Sequence, residues 1–240
     1  MPAYSAFLIF FLFLPSLPAT AADSDANAIF LVAKREMRDA RFRETVVLVT
    51  QPREGGPWGV IVNRPLKTRL AEIFTDHESV KKSKDVLYFG GPVMPDGLVF
   101  LVRAAKPPPR SVPVLKDVYF TGDVDWIDEQ LNRPDPTRGL RVYAGYAGWG
   151  EGQLQNELER GDWHAMPADA ATVFDKVPAL MWPELIQRAS GKQTRKDEEG
   201  VRKTENVNRE TKFQINAVLP VYGSRFTINE TVSRFWKGRQ

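Results

Sequence analysis

Val142-Tyr143-Ala144-Gly145-Tyr146-Ala147-Gly148-Trp149-Gly150-Glu151-Gly152-Gln153-Leu154 carries four glycines in eight residues, Gly145 to Gly152. An apolar, strand-like entry leads into it, and a helix is expected to begin near Gly152. Glycine permits positive φ and close backbone approach, so this density marks a strand–turn–helix junction. In the helix, Leu154 and Leu158 are four apart and define an inward face. Gln153 and Glu157, also four apart, share another face, and Glu157 can reach Arg160. Arg160-Gly161 closes the helix, glycine being the usual residue after a C-cap.

A glycine-rich turn before a helix can cradle an anion, because backbone N–H groups and the positive helix end converge there. Here the Gly-Lys-Ser/Thr ending of a Walker loop is missing, and Glu151 sits where an anion would be repelled. The competing reading is structural: the glycines bring strand and helix together while Trp149 packs over the junction. The candidate ligand-binding residues are Gly148, Trp149, Gly150, Gln153 and Glu157, with Asn63 and Arg64 from the end of an earlier strand. Arg64 suits a carboxylate or phosphate in a two-pronged contact, and Glu157 is the internal partner expected for it.

Upstream, residues 28–33 and 45–50 are apolar or β-branched runs that predict strands, and residues 58–63 predict a third. The Gln51-Pro52-Arg53-Glu54-Gly55-Gly56-Pro57 turn makes the last two a hairpin. Leu70, Ile73 and Phe74 mark one face of a short helix, followed by a polar loop over residues 75–85. Residues 86–89 and 98–102 read as strands separated by Gly90-Gly91-Pro92-Val93. The run Lys106-Pro107-Pro108-Pro109-Arg110 favours an extended surface loop, and residues 118–120 a brief strand. Asp123 is a good N-cap for a helix over residues 124–131. Beyond the glycine-rich junction come a strand at 163–167 and helices around Val173-Phe174 and residues 180–189.

The chain divides into four parts: a signal peptide at 1–21, an α+β domain at 22–191, a charged linker at 192–212 and a β-hairpin-like appendage at 213–240. The signal rests on Phe7-Leu8-Ile9-Phe10-Phe11-Leu12-Phe13-Leu14 followed by Ala19-Thr20-Ala21-Ala22, an apolar run with an Ala-x-Ala cleavage site after Ala21. That run is too short for a transmembrane helix, which needs about 20 apolar residues. The expected location is exported or periplasmic where the signal is cleaved, and cytoplasmic otherwise.

The chemistry is bounded mainly by what is missing. With no cysteine, disulfides, thiolate metal sites and cysteine nucleophiles are excluded. The two histidines, His77 and His164, are far apart, so no metal or cofactor is expected. Asp162 and His164 lie two apart without a serine nucleophile in a recognised elbow. Asp123, Asp125, Asp128 and Glu129 cluster at a helix start, where carboxylates serve the helix dipole more often than a cation. A surplus of three positive charges (33 basic, 30 acidic) is too small to indicate nucleic acid, and no DNA-reading motif accompanies it. The best basic cluster, Arg103, Lys106, Arg110 and Lys116, is interrupted by prolines.

Three blocks then point to a family. They are Gly59-Val60-Ile61-Val62-Asn63-Arg64-Pro65-Leu66, Tyr88-Phe89-Gly90-Gly91-Pro92-Val93, and Gly145-Tyr146-Ala147-Gly148-Trp149-Gly150 with Gly152-Gln153-Leu154, Glu157-Leu158 and Asp162-Trp163. Through them residues 28 to about 190 resemble the AlgH/YqgE family of mostly uncharacterised bacterial proteins. The resemblance implies an α+β fold in which a bifurcated, mixed β-sheet forms a pseudo-barrel flanked by helices. It also implies the label of transcriptional regulator, attached to the family without a defined molecular mechanism. The chain departs from that pattern in its signal and in about fifty added C-terminal residues.

The reading of function is a non-catalytic binding or regulatory module whose partner, a small anionic ligand or a protein, is not specified by the sequence. One alternative is a cytoplasmic transcriptional regulator, should the signal not be used. Another is a sensor or enzyme for a small anion at the glycine-rich turn. Direct DNA binding is not indicated.

Overall fold

The structure is a computed structural model that describes residues 28–50 and 56–198. The leader, the appendage at 213–240 and most of the 51–57 turn lie outside the described residues.

Strands β1 (Ile29–Ala33), β2 (Val46–Thr50) and β3 (Trp58–Ile61) form an antiparallel meander. Every residue in them is buried, so they read as continuous apolar runs instead of alternating ones. Five further strands follow: β4 (Pro65–Arg69), β5 (Val86–Phe89), β6 (Val93–Arg103), β7 (Ser111–Leu115) and β8 (Val118–Thr121). The last three pair antiparallel in the spatial order β6-β8-β7.

Strand β9 (Leu140–Gly148) joins the two groups. Its residues 140–144 pair antiparallel with β6, its centre pairs in parallel with β5, and Ala147 and Gly148 pair with Gly59 and Trp58 of β3. Strand β10 (Trp163–Pro167) completes the outer edge beside β1. The sheet is therefore mixed and splits at β9. Its far edge curls back, since the Ala28 N–H donates to the Val114 carbonyl of β7 at 3.1 Å. The expected α+β fold with a bifurcated sheet curled toward a barrel is what the structure shows.

The split depends on a bend at Gly145, whose φ is +67°. A Cβ there would lie 2.5 Å from the Gly91 carbonyl oxygen, closer than real Cβ contacts come. The β6–β9 register shifts between Val93 and Leu98: β6 bulges there and pairs again through Val93 with Tyr146, while β9 runs on past the bend to meet β3.

Three cores result. The inner one contains Phe30, Leu48, Val99, Leu101 and Tyr143, and is covered by Phe174 of α5 (Ala170–Asp175) with Met181, Trp182, Leu185 and Ile186 of α6 (Pro178–Glu198). The Trp182 indole N–H donates to the Ala33 carbonyl at 2.7 Å, fastening α6 to β1. The outer face of β1–β3 carries a second core, closed by Leu154 of α4 (Gln153–Arg160). The third lies outside β6 and β9, under α1 (Leu70–Ile73), α2 (Glu78–Lys81) and α3 (Val124–Leu131).

Four features differ from the sequence reading. β4 and β7 were not expected, because each contains a proline, Pro65 and Pro113; both are edge strands, where a missing N–H costs no ladder bond. The loop at 75–85 contains α2 and buries His77 and Val80. Helix α6 continues through residues 192–198, past the expected start of the charged linker. No described helix is long and apolar enough to cross a membrane.

Candidate functional site

The glycine-rich stretch becomes the end of β9, an exposed turn and the start of α4. Gly148, Gly150, Glu151, Gly152 and Gln153 are all exposed, whereas Trp149 is buried between them. The Trp149 N–H donates to the Pro57 carbonyl at 3.0 Å, which ties the turn to the chain entering β3. Gly152, the residue capping α4, has φ +70°, and Gly161, which ends it, has φ +79°. Both lie in the left-handed region that glycine enters without a Cβ penalty.

A carboxylate holds the turn in place. Glu157 Oε2 accepts from the Trp149 indole Nε1 and from the Trp163 indole Nε1, both at 2.9 Å. Glu157 Oε1 accepts from Gln153 Nε2 at 2.9 Å, and Gln153 Oε1 accepts from the Gly150 N–H at 3.1 Å. A chain of bonds thus runs from two buried indoles to the backbone of an exposed turn. Bonds to a charged acceptor contribute roughly 1.5–3 kcal/mol each, more than neutral ones. The two indole rings pack edge to face, 6.5 Å apart, and Phe42 stacks edge-on against Trp163 at 5.6 Å.

Asn63 and Arg64 are spent elsewhere. Asn63 Oδ1 accepts from the Val46 N–H at 2.8 Å and its Nδ2 donates to the Glu44 carbonyl at 2.9 Å. Arg64 donates through Nη1 to the Arg41 carbonyl and through Nη2 to the Arg43 carbonyl at 3.0 Å, with its guanidinium over the Phe89 ring. Partial burial lowers the Arg64 pKa from its ordinary value. These two residues clamp the segment before β2. The expected pairing of Arg64 with Glu157 is therefore corrected: the guanidinium meets backbone carbonyls, and the carboxylate meets indoles and an amide. Glu157 does not bond Arg160 either, which pairs with Asp162 at 2.7 Å.

The remaining candidates are also dispersed. Asp123 caps α3 by accepting from the Trp126 N–H at 2.9 Å, and accepts from Arg110 Nε at 2.7 Å. Asp128 bonds His77 Nε2 at 2.9 Å. Arg103 faces Phe174 and Asp175, so the expected basic cluster is broken up. His164 is half-buried, and that burial together with Lys34 lowers its pKa, favouring the neutral ring. Among the described residues no three metal-ligating side chains come together. The contribution missed from the sequence was Trp163. Its six-residue separation from Glu157 across the Gly161 turn is the signal, usable only once α4 and β10 are known to lie side by side.

A curled, bifurcated sheet with helices outside defines the class as a mixed α+β domain, with a polar clasp at its strand–helix turn. The AlgH-like family (DUF179) matches residues 30–194, and the chain belongs to it. A Chlorobium chlorochromatii UPF0301 protein is 33% identical over 163 residues, covering 67% of this chain and 85% of that relative. A Mycobacterium tuberculosis UPF0301 protein is 30% identical over 174 residues, covering 71% and 85%. Among solved structures, the AlgH protein from Pseudomonas aeruginosa aligns with a TM-score of 0.56 at 25% identity, covering 73% of this chain and 93% of that one. Protein DIP2367 from Corynebacterium diphtheriae aligns at 0.54 and 22% identity, covering 68% and 86%, which bears on the fold alone.

Proposed function

We propose that this chain is a non-catalytic binding module that presents the turn at 148–152 to a protein partner outside the cytoplasm. The observation that carries the reading is the clasp itself: an exposed turn is pinned, through Gln153, to a carboxylate fixed by two buried indoles. A loop already held in its bound shape loses less conformational entropy on association. Glu157, the carboxylate that anchors the turn, has both oxygens engaged and is not free to act as a base. The Gly150 N–H, which an anion would need, is occupied by Gln153. Export is supported by the apolar run at 7–14 and the alanine-rich site after it.

The partner is tested with a photo-crosslinking residue at Glu151 in living cells of the source organism. A discrete adduct that disappears with Gln153→Ala is expected. Labelling no stronger than from the same probe at Glu129, exposed on α3, would refute the reading. Fractionation with N-terminal sequencing tests the compartment. A chain in the periplasmic or secreted fraction beginning at Ala22 is expected, and a cytosolic chain retaining Met1 overturns export.

A further inference from the structure

The alternation of β9 places Arg141 and Tyr143 on the face opposite Leu140 and Val142. Leu140 and Val142 belong to the outer core under α1–α3, and Tyr143 belongs to the inner core. Tyr88 of β5 is the register partner of Tyr143 in the parallel pair, and their rings lie 5.6 Å apart. Leu101 and Val99 of β6 stand opposite Arg141 and Tyr143.

The polar atoms of this group are unbalanced. Tyr143 is fully buried, and its hydroxyl has no hydrogen-bond partner. Arg141 donates through Nη2 to the Phe174 carbonyl at 2.6 Å and through Nη1 to the Leu140 carbonyl at 3.1 Å, but its buried Nε has no acceptor. Among the described residues no carboxylate forms an ion pair with Arg141. Burial dominates at both phenols and keeps Tyr143 a protonated O–H donor; the Arg141 charge opposes it at each, and Asp85 acts on Tyr88 in the other sense. Over nine in ten buried polar groups in folded proteins are satisfied, so two orphaned donors on one face, one of them on a cation with no ion-pair partner among the described residues, call for an occupant.

We propose that Arg141, Tyr143 and Tyr88 form a binding site for a small monocarboxylate inside the curled sheet. The site supplies donors and one positive charge, which an acceptor-only monoanion matches. A water molecule would accept the two bonds, but it brings no charge to match the Arg141 guanidinium. Val99 and Leu101, opposite this pair on β6, make the surroundings apolar. Tyr88 and Arg141 are only partly buried, so the group reaches the surface on their side. The site is separate from the turn at 148–152 and does not rest on its reading.

The test is thermal unfolding of the full chain with acetate, butyrate and benzoate, against chloride, inorganic phosphate and the matching neutral alcohols. A saturable rise of roughly 5 °C near a hundredfold excess over Kd is expected for at least one carboxylate and for no alcohol. Tyr143→Phe, which keeps the ring and removes the orphaned hydroxyl, should leave the ligand-free midpoint unchanged or higher while weakening binding about tenfold. Tyr88→Phe, at a half-buried position, gives a second, independent readout of the same weakening. The proposal is overturned by no carboxylate shift, by an equal shift in both variants, or by phosphate binding in place of carboxylates. It is equally overturned if Tyr143→Phe folds with a lowered ligand-free midpoint, because the hydroxyl would then have an internal partner.

Discussion

Glu157 accepts from two indoles and an amide, whereas Glu159, two residues on in the same helix, bonds Gln155 alone among the described residues. Their truncations should differ accordingly. Glu157→Ala orphans two buried N–H donors and should lower stability by about 2–4 kcal/mol in chemical denaturation, with Glu159→Ala within about 0.5 kcal/mol of wild type. Equal effects would show that the clasp adds nothing beyond helix propensity. A second carboxylate gives a pH signature. Burial raises the Asp123 pKa, but Arg110 and the Trp126 N–H outweigh it, and the folded-state value falls below the ordinary 3.8. Its contribution is therefore fully present above about pH 4 and is lost as pH falls through the lowered folded value. The stability gap between wild type and Asp123→Asn should be flat from about pH 5 to 8 and shrink below about pH 4.

Among the elements, two glycines with nearly the same backbone angle separate conformation from space. Gly152 at φ +70° has nothing within 4 Å of a would-be Cβ, whereas Gly145 at +67° would meet the Gly91 oxygen at 2.5 Å. Gly152→Ala should cost about 1 kcal/mol, the ordinary left-handed penalty, and Gly145→Ala several times more, measured as unfolding midpoints. Equal costs would mean that β9 can shift away from Gly91 without loss. The same element scale explains what the sequence revealed. Asp123 and the Trp126-Ile127-Leu131 stripe placed α3, and Gly152 and Gly161 bracketed α4, because caps and periodicity are local signals. β4 and β7 were hidden by Pro65 and Pro113, whose meaning depends on lying at an edge, which is a property of the sheet. α2 is one turn long, too short to display a period. In the site, Gln153 and Glu157 were readable as neighbours four apart. The partners of Arg64 were not, because backbone carbonyls leave no residue-type signature.

For the whole molecule, the inner core depends on α6 lying across the sheet. Trp182 packs there, bonds the Ala33 carbonyl and carries the Arg35 guanidinium over its ring at 5.5 Å. Trp182→Phe keeps most of the apolar contact and leaves the indole bond unmade. It should destabilise the chain by about 1–2 kcal/mol and raise deuterium uptake in residues 178–191 before residues 93–103 respond. Uniform uptake across the sheet would instead show that α6 and the strands open as one unit.

The position of β9 in the chain also sets an order of events in time. Among the described strands β9 is the one that pairs with all three of β3, β5 and β6, and it is made after them. Until residue 148 has been made, residues 28–61 and 65–131 lack the ladder through β9 and keep single links such as Ala28 to the Val114 carbonyl and Ile61 to the Gly90 carbonyl, and the outer face of β1–β3 waits longer still for α4. A chain truncated after residue 139 should show no cooperative unfolding transition, whereas one truncated after residue 198 should keep it. For a protein proposed to be exported, this late keystone acts as a built-in delay: the polypeptide stays threadable until β9 and α4 have been made.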